Sequence, residues 1–349
     1  MALLPENQKV LDHFADLLAV PSPSGYEQAV AQVVRDKVEA IGYTAETDPS
    51  GNVLVRFAGQ DSSLPLTYYA SHMDEIGMVV TNIEADGKLS VERHGGLFPF
   101  KIGERPVTIL GDKESITGIV SMGSTHSAPG EGSGHSWSSV RINTGLSPAQ
   151  LKGVGVRVGS PLVPVREGCG PMVFGDPADS LVAAWTFDDK LGCAVLLSLL
   201  EHFKATGKEP MAPTVIAFTV EEEVGGLGAK ALCGRERPEI FVAVDGQPIT
   251  PNSPLALDGR PATVTKDRLA VYNKDLIVDL ISAAERAGTE MQTVVLPSAS
   301  DASLVYSVGL ADRVLCFGQV RENSHGYEVA RLNVFGNVLR TLIEFIAAK

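Results

Sequence analysis

The chain has 349 residues, of which 44% are hydrophobic and 20% are charged. This composition excludes a disordered chain, and the length excludes a small scaffold and predicts roughly two domains. The 29 basic and 42 acidic side chains give a net charge of −13, which argues against a nucleic-acid-binding protein or an anionic-membrane surface and favours metals or cationic partners.

The lack of a membrane-span or signal-peptide pattern and the spacing of the cysteines indicate the cellular compartment of the protein. No apolar run approaches the roughly 18 residues of a membrane span, and the first ten residues lack the basic-then-apolar pattern of a signal peptide. The cysteines at positions 169, 193, 233 and 316 lie far apart and form no C-x-x-C pair, which is typical of reduced thiols. We therefore expect a cytoplasmic protein.

The first 75 residues alternate between helical and strand patterns. Apolar residues recur at helical spacing over 29–38, and Gly42 follows as a helix stop. Segments 52–57 and 66–70 are rich in β-branched and aromatic residues, which predicts two strands. The second strand leads directly towards His72, so this histidine is expected at the carboxyl end of a strand.

From residue 76 to residue 172 the pattern changes to short strand-like pieces separated by Gly, Pro and Asp turns. This texture predicts an inserted all-β domain, because helical periodicity is nearly absent. Within it, residues 121–139 are rich in Gly and Ser and predict a long surface loop.

The alternating pattern then returns, with an amphipathic helix after Asp189 and a strand at 214–220 that ends in three glutamates. The other predicted elements are strands at 241–244, 292–296 and 313–317 and helices at 275–287 and 328–348. The order predicts an α/β domain that is discontinuous in sequence, made of residues 1–75 and 173–349 around the insertion at 76–172.

Acidic and imidazole side chains follow or precede several of these elements. They are His72, Asp74, Asp188, Asp189, Glu221, Glu222, Glu223 and Asp245. In an open α/β sheet the carboxyl ends of the strands meet at one crevice, so these groups should converge. Converging carboxylates need a cation, and imidazole with carboxylates is a ligand set that zinc and similar metals accept.

Each pattern also has a simpler interpretation. Asp188 and Asp189 fit an N-cap pair, and residues 221–223 fit a solvated acidic turn. The buried-looking strand before the glutamates favours a site, since one carboxylate can bind metal while its neighbour serves as general base. The spacing of His72 and Asp74 lets Asp74 accept the second imidazole N–H.

Six motifs occur in an order that resembles a known family. They are ASHMDEIG at 70–77, FDDKLG at 187–192, EEVG at 222–225, VDG at 244–246, SDA at 300–302 and SH at 324–325. The chain resembles the dinuclear-metal aminopeptidases of the TET or glutamyl aminopeptidase family over nearly its whole length. The resemblance implies an α/β fold with a zinc-exopeptidase-like central mixed sheet flanked by helices, and a PDZ-like dimerisation domain at 76–172.

The resemblance also implies roles for individual residues. Two metal ions would be held, one by His72, Asp188 and Asp245 and the other by Asp188, Glu223 and His325. Glu222 would be the general base and acid, and Asp74 would orient His72. A cis peptide is expected between Asp188 and Asp189.

The function implied is a metal-dependent aminopeptidase that removes N-terminal residues from short peptides with a free amino group. The two divalent ions would be zinc, with cobalt or manganese as alternatives, and dimers would assemble into a tetrahedral dodecamer. The alternative is a related amidohydrolase or deacylase acting on blocked peptides or other amides, although no arginine that would bind a substrate carboxylate is evident in the motifs. A glycosidase leaves His72 and His325 without a role, and a non-catalytic metal-binding protein leaves Glu222 without one.

Overall fold

The computed structural model describes residues 5–124, 126 and 135–347. The helices are α1 (Pro5–Leu18), α2 (Gln28–Ile41), α3 (Pro99–Ile102), α4 (Pro148–Gly153), α5 (Lys190–Thr206), α6 (Leu227–Arg235), α7 (Lys274–Arg286), α8 (Asp301–Tyr306) and α9 (Asn333–Ala347), with 3₁₀ turns at Trp137–Ser139 and Arg166–Gly168. The strands are β1 (Glu46–Thr47), β2 (Val53–Phe57), β3 (Thr67–His72), β4 (Gly77–Ile83), β5 (Leu89–His94), β6 (Pro106–Leu110), β7 (Ser115–Ser121), β8 (Arg141–Asn143), β9 (Pro161–Pro164), β10 (Met172–Phe174), β11 (Leu181–Trp185), β12 (Thr214–Thr219), β13 (Ile240–Val244), β14 (Gln247–Pro248), β15 (Ala262–Lys266), β16 (Gln292–Val295), β17 (Arg313–Gly318), β18 (Val320–Arg321) and β19 (Tyr327–Arg331).

An eight-stranded mixed sheet forms the centre of the larger domain, in the order β1-β2-β12-β3-β13-β17-β15-β16. Strands β12, β3, β13 and β17 are parallel neighbours, whereas β2 and β15 pair antiparallel with β12 and β17. Every residue of β3, β12 and β13 is buried, as expected for parallel strands covered on both faces. The carboxyl ends of these strands therefore meet at one edge of the sheet.

Helices cover both faces of this sheet. Successive side chains of β3 enter opposite layers, since Tyr69 belongs to the core that contains α1, α5 and α9, while Tyr68 and Ala70 belong to the core that contains α6 and α8. This architecture confirms the predicted central mixed sheet flanked by helices. Among the described residues no helix is both long and apolar enough to cross a membrane.

The insertion contains a closed barrel of six strands, in the order β4-β5-β8-β7-β6-β9, over residues 77–164. The barrel agrees with the β-rich pattern of the sequence, although the insertion also contains the short helices α3 and α4, and its likeness to a PDZ domain stays a prediction. Of the loop predicted at 121–139, residues 125 and 127–134 lie outside the described part of the chain.

The helix predicted at 328–348 is wrong in its first turn. Tyr327–Arg331 is strand β19, which pairs antiparallel with β11 along its whole length, and helix α9 begins only at Asn333. The hydrogen bonds to β11 come from a segment about 140 residues earlier in the chain, and such remote pairing overrides local propensity. Helix α2 matches the prediction, and Gly42 ends it in the left-handed conformation at φ 99°.

Candidate metal centre

The predicted site residues meet at the carboxyl edge of the parallel strands. His72 ends β3, Asp245 follows β13, the glutamates follow β12, and Asp188 lies two residues before the start of α5. The His72 Nε2 lies 3.1 Å from Asp188 Oδ1. The expected cis peptide between Asp188 and Asp189 is present.

Asp74 connects His72 to the glutamate turn. The Nδ1–H of His72 is 3.1 Å from the Asp74 carbonyl oxygen and 3.3 Å from Asp74 Oδ1. The carboxylate of Asp74 also accepts the Ser24 hydroxyl at 2.7 Å and the backbone N–H groups of Glu222 and Glu223 at 3.0 and 3.1 Å. Asp74 therefore fixes the His72 ring and the start of the glutamate turn together.

His325 approaches the same carboxylates from the opposite side. Its Nε2 lies 3.4 Å from Asp188 Oδ2 and 3.7 Å from Glu223 Oε1. Its Nδ1 lies 3.1 Å from the carbonyl oxygen of Gly96. The residue sits in a loop turn with a left-handed backbone at φ 58°, which aims the ring into the cluster.

The arrangement fits divalent cations. One possible ligand atom from each of His72, Asp188 and Glu223 lies within 4.8 Å of the others, and the same holds for His72, Asp189 and Asp245. Three buried carboxylate oxygens, Asp189 Oδ1, Glu223 Oε1 and Asp245 Oδ1, have no hydrogen-bond partner among the described residues. Buried carboxylate oxygens without donors are the groups that a bound cation would satisfy.

Asp189 enters this cluster although the sequence analysis gave it no ligand role. Its Oδ2 accepts the Ser71 hydroxyl and lies 3.3 Å from the backbone nitrogen of His72. The structure groups Asp245 with Asp189, where the family pattern pairs Asp245 with Asp188. The adjacent acidic pair was visible in the sequence, but which of its carboxylates faces Asp245 depends on the fold.

Arg321 is a residue of the centre that the sequence analysis did not name. Its guanidinium contacts the Asp188 carboxylate, lies 3.1 Å from Glu328 and 3.8 Å from Asp245, and its side chain is only 3% exposed. An arginine therefore does lie in the centre, bound to acidic residues of the chain itself. Its position four residues before His325 was the available signal.

Burial sets the protonation of Glu222, Glu223 and Asp245. It raises the pKa of Glu222 well above its usual range, and the carboxylates of Asp301 and Glu223 add to this while His72 opposes it. It raises the pKa of Glu223 and of Asp245 to about 7. In the metal-free protein these carboxyl groups keep their protons to a higher pH than free carboxyl groups do, and a divalent cation would displace those protons.

In contrast to these carboxyl groups, Asp188 and His325 are held in their charged forms. Burial opposes the charge on Asp188, but Arg321 and the two histidines hold its pKa well below its usual range. The Glu223 carboxylate raises the pKa of His325 to about 10 against the effect of burial. Asp188 is therefore ionised at neutral pH and faces both histidines, as a carboxylate between two cations must.

A cleft of about 760 Å³ gives access to the centre. Glu222, Glu223, Asp245 and His325 form its floor, and Phe98, Phe100 and Lys101 from the inserted domain form part of its wall. The volume is that of a small-molecule or short-peptide site.

The family model of the M42 glutamyl aminopeptidases matches residues 51–340. The chain belongs to this family. Membership confirms the enzyme class predicted from the sequence, a metal-dependent aminopeptidase, and the family named there.

Individual relatives agree with this assignment. The glutamyl aminopeptidase of Lactococcus lactis subsp. cremoris is 28% identical over 245 residues, 69% of this chain and 67% of that protein. The lysyl aminopeptidase of Pyrococcus furiosus is 27% identical over 234 residues, 66% of this chain and 64% of that protein. The aligned part thus spans about two thirds of each of these relatives.

The fold has close counterparts among solved structures. The Pyrococcus horikoshii TET1 peptidase, described as assembling into a tetrahedron or a large octahedral shell, matches with a TM-score of 0.84 at 23% identity. The match covers 97% of this chain and 99% of that one. Sheet, helices and insertion therefore occur together in a known architecture.

Proposed function

We propose that this chain hydrolyses the first peptide bond of short peptides with a free N-terminus, using two divalent metal ions. The observation that carries the proposal is the convergence of two histidines and four acidic side chains at one edge of the sheet. The histidines are His72 and His325, and the acidic residues are Asp188, Asp189, Glu223 and Asp245. Several of their buried oxygens have no donor among the described residues. A divalent cation would satisfy these oxygens and would take the place of the protons that the raised pKa values of Glu223 and Asp245 keep there.

We assign His72, Asp188 and Asp245 to one ion and Asp188, Glu223 and His325 to the other, with Asp188 bridging. The short distances from Asp188 to both histidines, 3.1 and 3.4 Å, support the bridge. Asp189 joins the His72 side as a further possible ligand, because it shares a cluster with His72 and Asp245. Zinc is the preferred ion, with cobalt and manganese accepted by the same donors.

Ions bound there would polarise the scissile carbonyl and lower the pKa of a water molecule. Glu222 is the proton carrier. Its carboxylate lines the cleft and lies 3.9 Å from His72 Nε2, and its backbone N–H is fixed by Asp74. It takes a proton from the attacking water as the C–O bond forms and donates it to the amine nitrogen as the C–N bond breaks.

The charge of the cleft supports a free amino terminus as the recognised group. Asp188, Glu222, Glu223 and Asp245 line its floor, and an α-ammonium group would be attracted to whichever of these carboxylates the ions leave free. An acetylated amino terminus has no positive charge and would lose this attraction.

The proposal extends to the assembly and the location of the protein. We propose that residues 76–172 form a PDZ-like dimerisation domain and that residues 1–75 and 173–349 form the catalytic domain. Dimers would build a tetrahedral dodecamer, and this is supported by the similar fold of the Pyrococcus horikoshii TET1 peptidase, which can assemble into a tetrahedron or a large octahedral shell. Strand β10 leaves Met172, Val173 and Phe174 exposed, which suits a subunit contact.

A cytoplasmic location agrees with four free, buried cysteines.

The test is hydrolysis of a panel of aminoacyl p-nitroanilides and their N-acetylated forms, before and after chelation. We expect cleavage of the free-amine substrates only, and its loss on chelation. Cleavage of the acetylated forms alone would overturn the proposal in favour of a deacylase or other amidohydrolase.

A further inference from the structure

The inserted barrel domain contributes directly to the metal centre. Its strand β5 ends at His94, and the Gly95–Gly96 turn that follows reaches the site. A Cβ atom placed on Gly95 would lie 3.3 Å from Glu223 Oε2, and one on Gly96 would lie 2.3 Å from His325 Nδ1. The turn therefore touches two of the proposed ligands of the same ion.

The contact with His325 fixes which ring nitrogen carries the proton. The carbonyl oxygen of Gly96 lies 3.1 Å from His325 Nδ1, and a carbonyl oxygen can only accept. The proton of a neutral imidazole must then be on Nδ1, and the lone pair on Nε2. Nε2 is the nitrogen that faces Asp188 and Glu223, which is the orientation a metal ligand needs.

The turn is held firmly enough to set this orientation. The Nε2–H of His94 donates to the Ser24 carbonyl oxygen at 2.8 Å, and the Ser24 hydroxyl donates to Asp74. On the other side of the turn, Leu97 is fully buried. The turn is thus anchored to the catalytic domain next to the residue that fixes His72.

We propose that Gly96 is a positioning residue of the metal centre, whose backbone carbonyl, supplied by the inserted domain, holds His325 in its metal-binding tautomer and orientation. This inference rests on the proposed two-ion function. It gives the insertion a role at the active site in addition to subunit contacts, and it explains the residue type, since any side chain at position 96 would occupy the place of the His325 ring.

The substitution Gly96→Ala tests the inference. The backbone of Gly96 is outside the left-handed region, so alanine adds a Cβ clash with His325 without backbone strain. The matched control is Gly153→Ala in α4 of the same domain, where an added Cβ has no neighbour within 4 Å. Both variants are compared with the wild type by circular dichroism and thermal unfolding.

The main readout is titration of the metal-free proteins with zinc in competition with a chromophoric chelator. In Gly96→Ala we expect one of the two binding events to weaken by about 10- to 100-fold, the usual effect of losing the partner of a ligating histidine. The other event should be unchanged, and Gly153→Ala should match the wild type in both. Unchanged binding in Gly96→Ala, or equal weakening of both events, would overturn the inference.

A structure of the zinc-loaded wild type decides the question even if Gly96→Ala does not fold. The inference requires His325 Nε2 on the metal and Nδ1 still within hydrogen-bond distance of the Gly96 carbonyl oxygen. A His325 bound through Nδ1, or turned away from Gly96, would refute it. A wild type that binds two zinc ions in this geometry but cleaves no peptide would instead overturn the proposed function alone.

Discussion

The metal centre has one end at His72 and another at His325, and the protein builds these two ends in different ways. His72 ends a fully buried core strand, and both its ring contacts and those of its partner Asp74 are made with residues of 1–75 and 173–349. His325 lies in a loop turn, its side chain is 32% exposed, and its Nδ1 partner is a backbone carbonyl 229 residues away in the inserted domain. One end of the centre is thus part of the core, and the other is completed by the turn that follows strand β5 of the barrel.

Because of this difference, substitutions at one end should change both the stability of the fold and metal binding, whereas substitutions at the other end should change metal binding alone. Changes at the His72 end should disturb the buried core together with the metal site. Changes at the His325 end should alter one ion and leave the core intact. The following predictions test that separation.

Glu222 carries the proton in the proposed reaction, so its removal should have the largest effect on activity. Glu222→Gln keeps the size of the side chain but cannot carry the proton, and we expect kcat to fall by about 10²- to 10⁴-fold. Metal content and thermal stability should stay at wild-type levels. A fully active variant, measured by steady-state kinetics with zinc content determined on the same sample, would show that another group carries the proton.

The second prediction concerns the buried ion pairs that connect the insertion to the residues next to His72. Glu75 is buried beside Asp74 and pairs with Lys190 at 3.0 Å and with Arg166, just after the barrel, at 3.1 Å. Glu75→Gln would leave Lys190, which is 1% exposed, without its counter-charge. We expect the free energy of unfolding to fall by about 3–5 kcal/mol.

Urea unfolding of the metal-free chain measures this loss. The matched control is Glu92→Gln on the exposed side of β5, which should stay within about 0.5 kcal/mol of the wild type. A Glu75→Gln protein as stable as the control would mean that the buried ion pairs do not hold the two domains together.

Asp74→Asn should weaken zinc binding by about 10- to 100-fold. Because Asp74 accepts from the backbone of Glu223 as well as contacting His72, both binding events should weaken. Gly96→Ala should weaken only one, and the two titrations side by side distinguish the ends of the centre. Selective loss of a single event in Asp74→Asn would contradict the wider role given to Asp74.

The smallest predicted effect is a pH dependence of the metal-free protein. The folded-state pKa values of Glu223 and Asp245 are raised to about 7, against unfolded values near 4. Between these limits the folded state binds more protons, so stability falls as pH rises towards 8. The raised pKa of His325, about 10, acts in the same direction above its unfolded value.

The carboxyl groups with lowered pKa values do not cancel this trend, while burial lowers the pKa of His13 and His202 and opposes it below about pH 6.5. Asp74, Glu75 and Asp188 lose their stabilising effect only on acidification below their ordinary range. Unfolding midpoints measured at several pH values from 5 to 8 should therefore decline without metal, and zinc should reverse the decline by replacing the protons. A stability that rises with pH without metal would show that these carboxyl groups ionise freely.

The same contrast explains what the sequence could predict. His72, Asp74 and the glutamates could be placed because each follows a strongly apolar strand, and strand ends of a parallel sheet share an edge. His325 could be placed only through the family resemblance, since its partner Gly96 is remote and offers a backbone atom.

Two features depended on the fold and were missed. Arg321 enters the centre although no motif named it, and Asp189, which the sequence placed among the converging acidic residues, faces Asp245 in a direction that only the fold determines. Strand β19 was predicted as the start of a helix because its pairing partner β11 is far away in sequence. Local patterns thus predicted the core end of the centre, and remote contacts determined the rest.

The most direct test of the two-ion account is the return of activity to chelated wild-type protein as zinc is added in measured equivalents per chain. We predict little hydrolysis of a free-amine aminoacyl p-nitroanilide without zinc, full activity at two equivalents, and no cleavage of the acetylated substrate at any point. Full activity in the metal-free chain, or a plateau reached at one equivalent, would contradict the account.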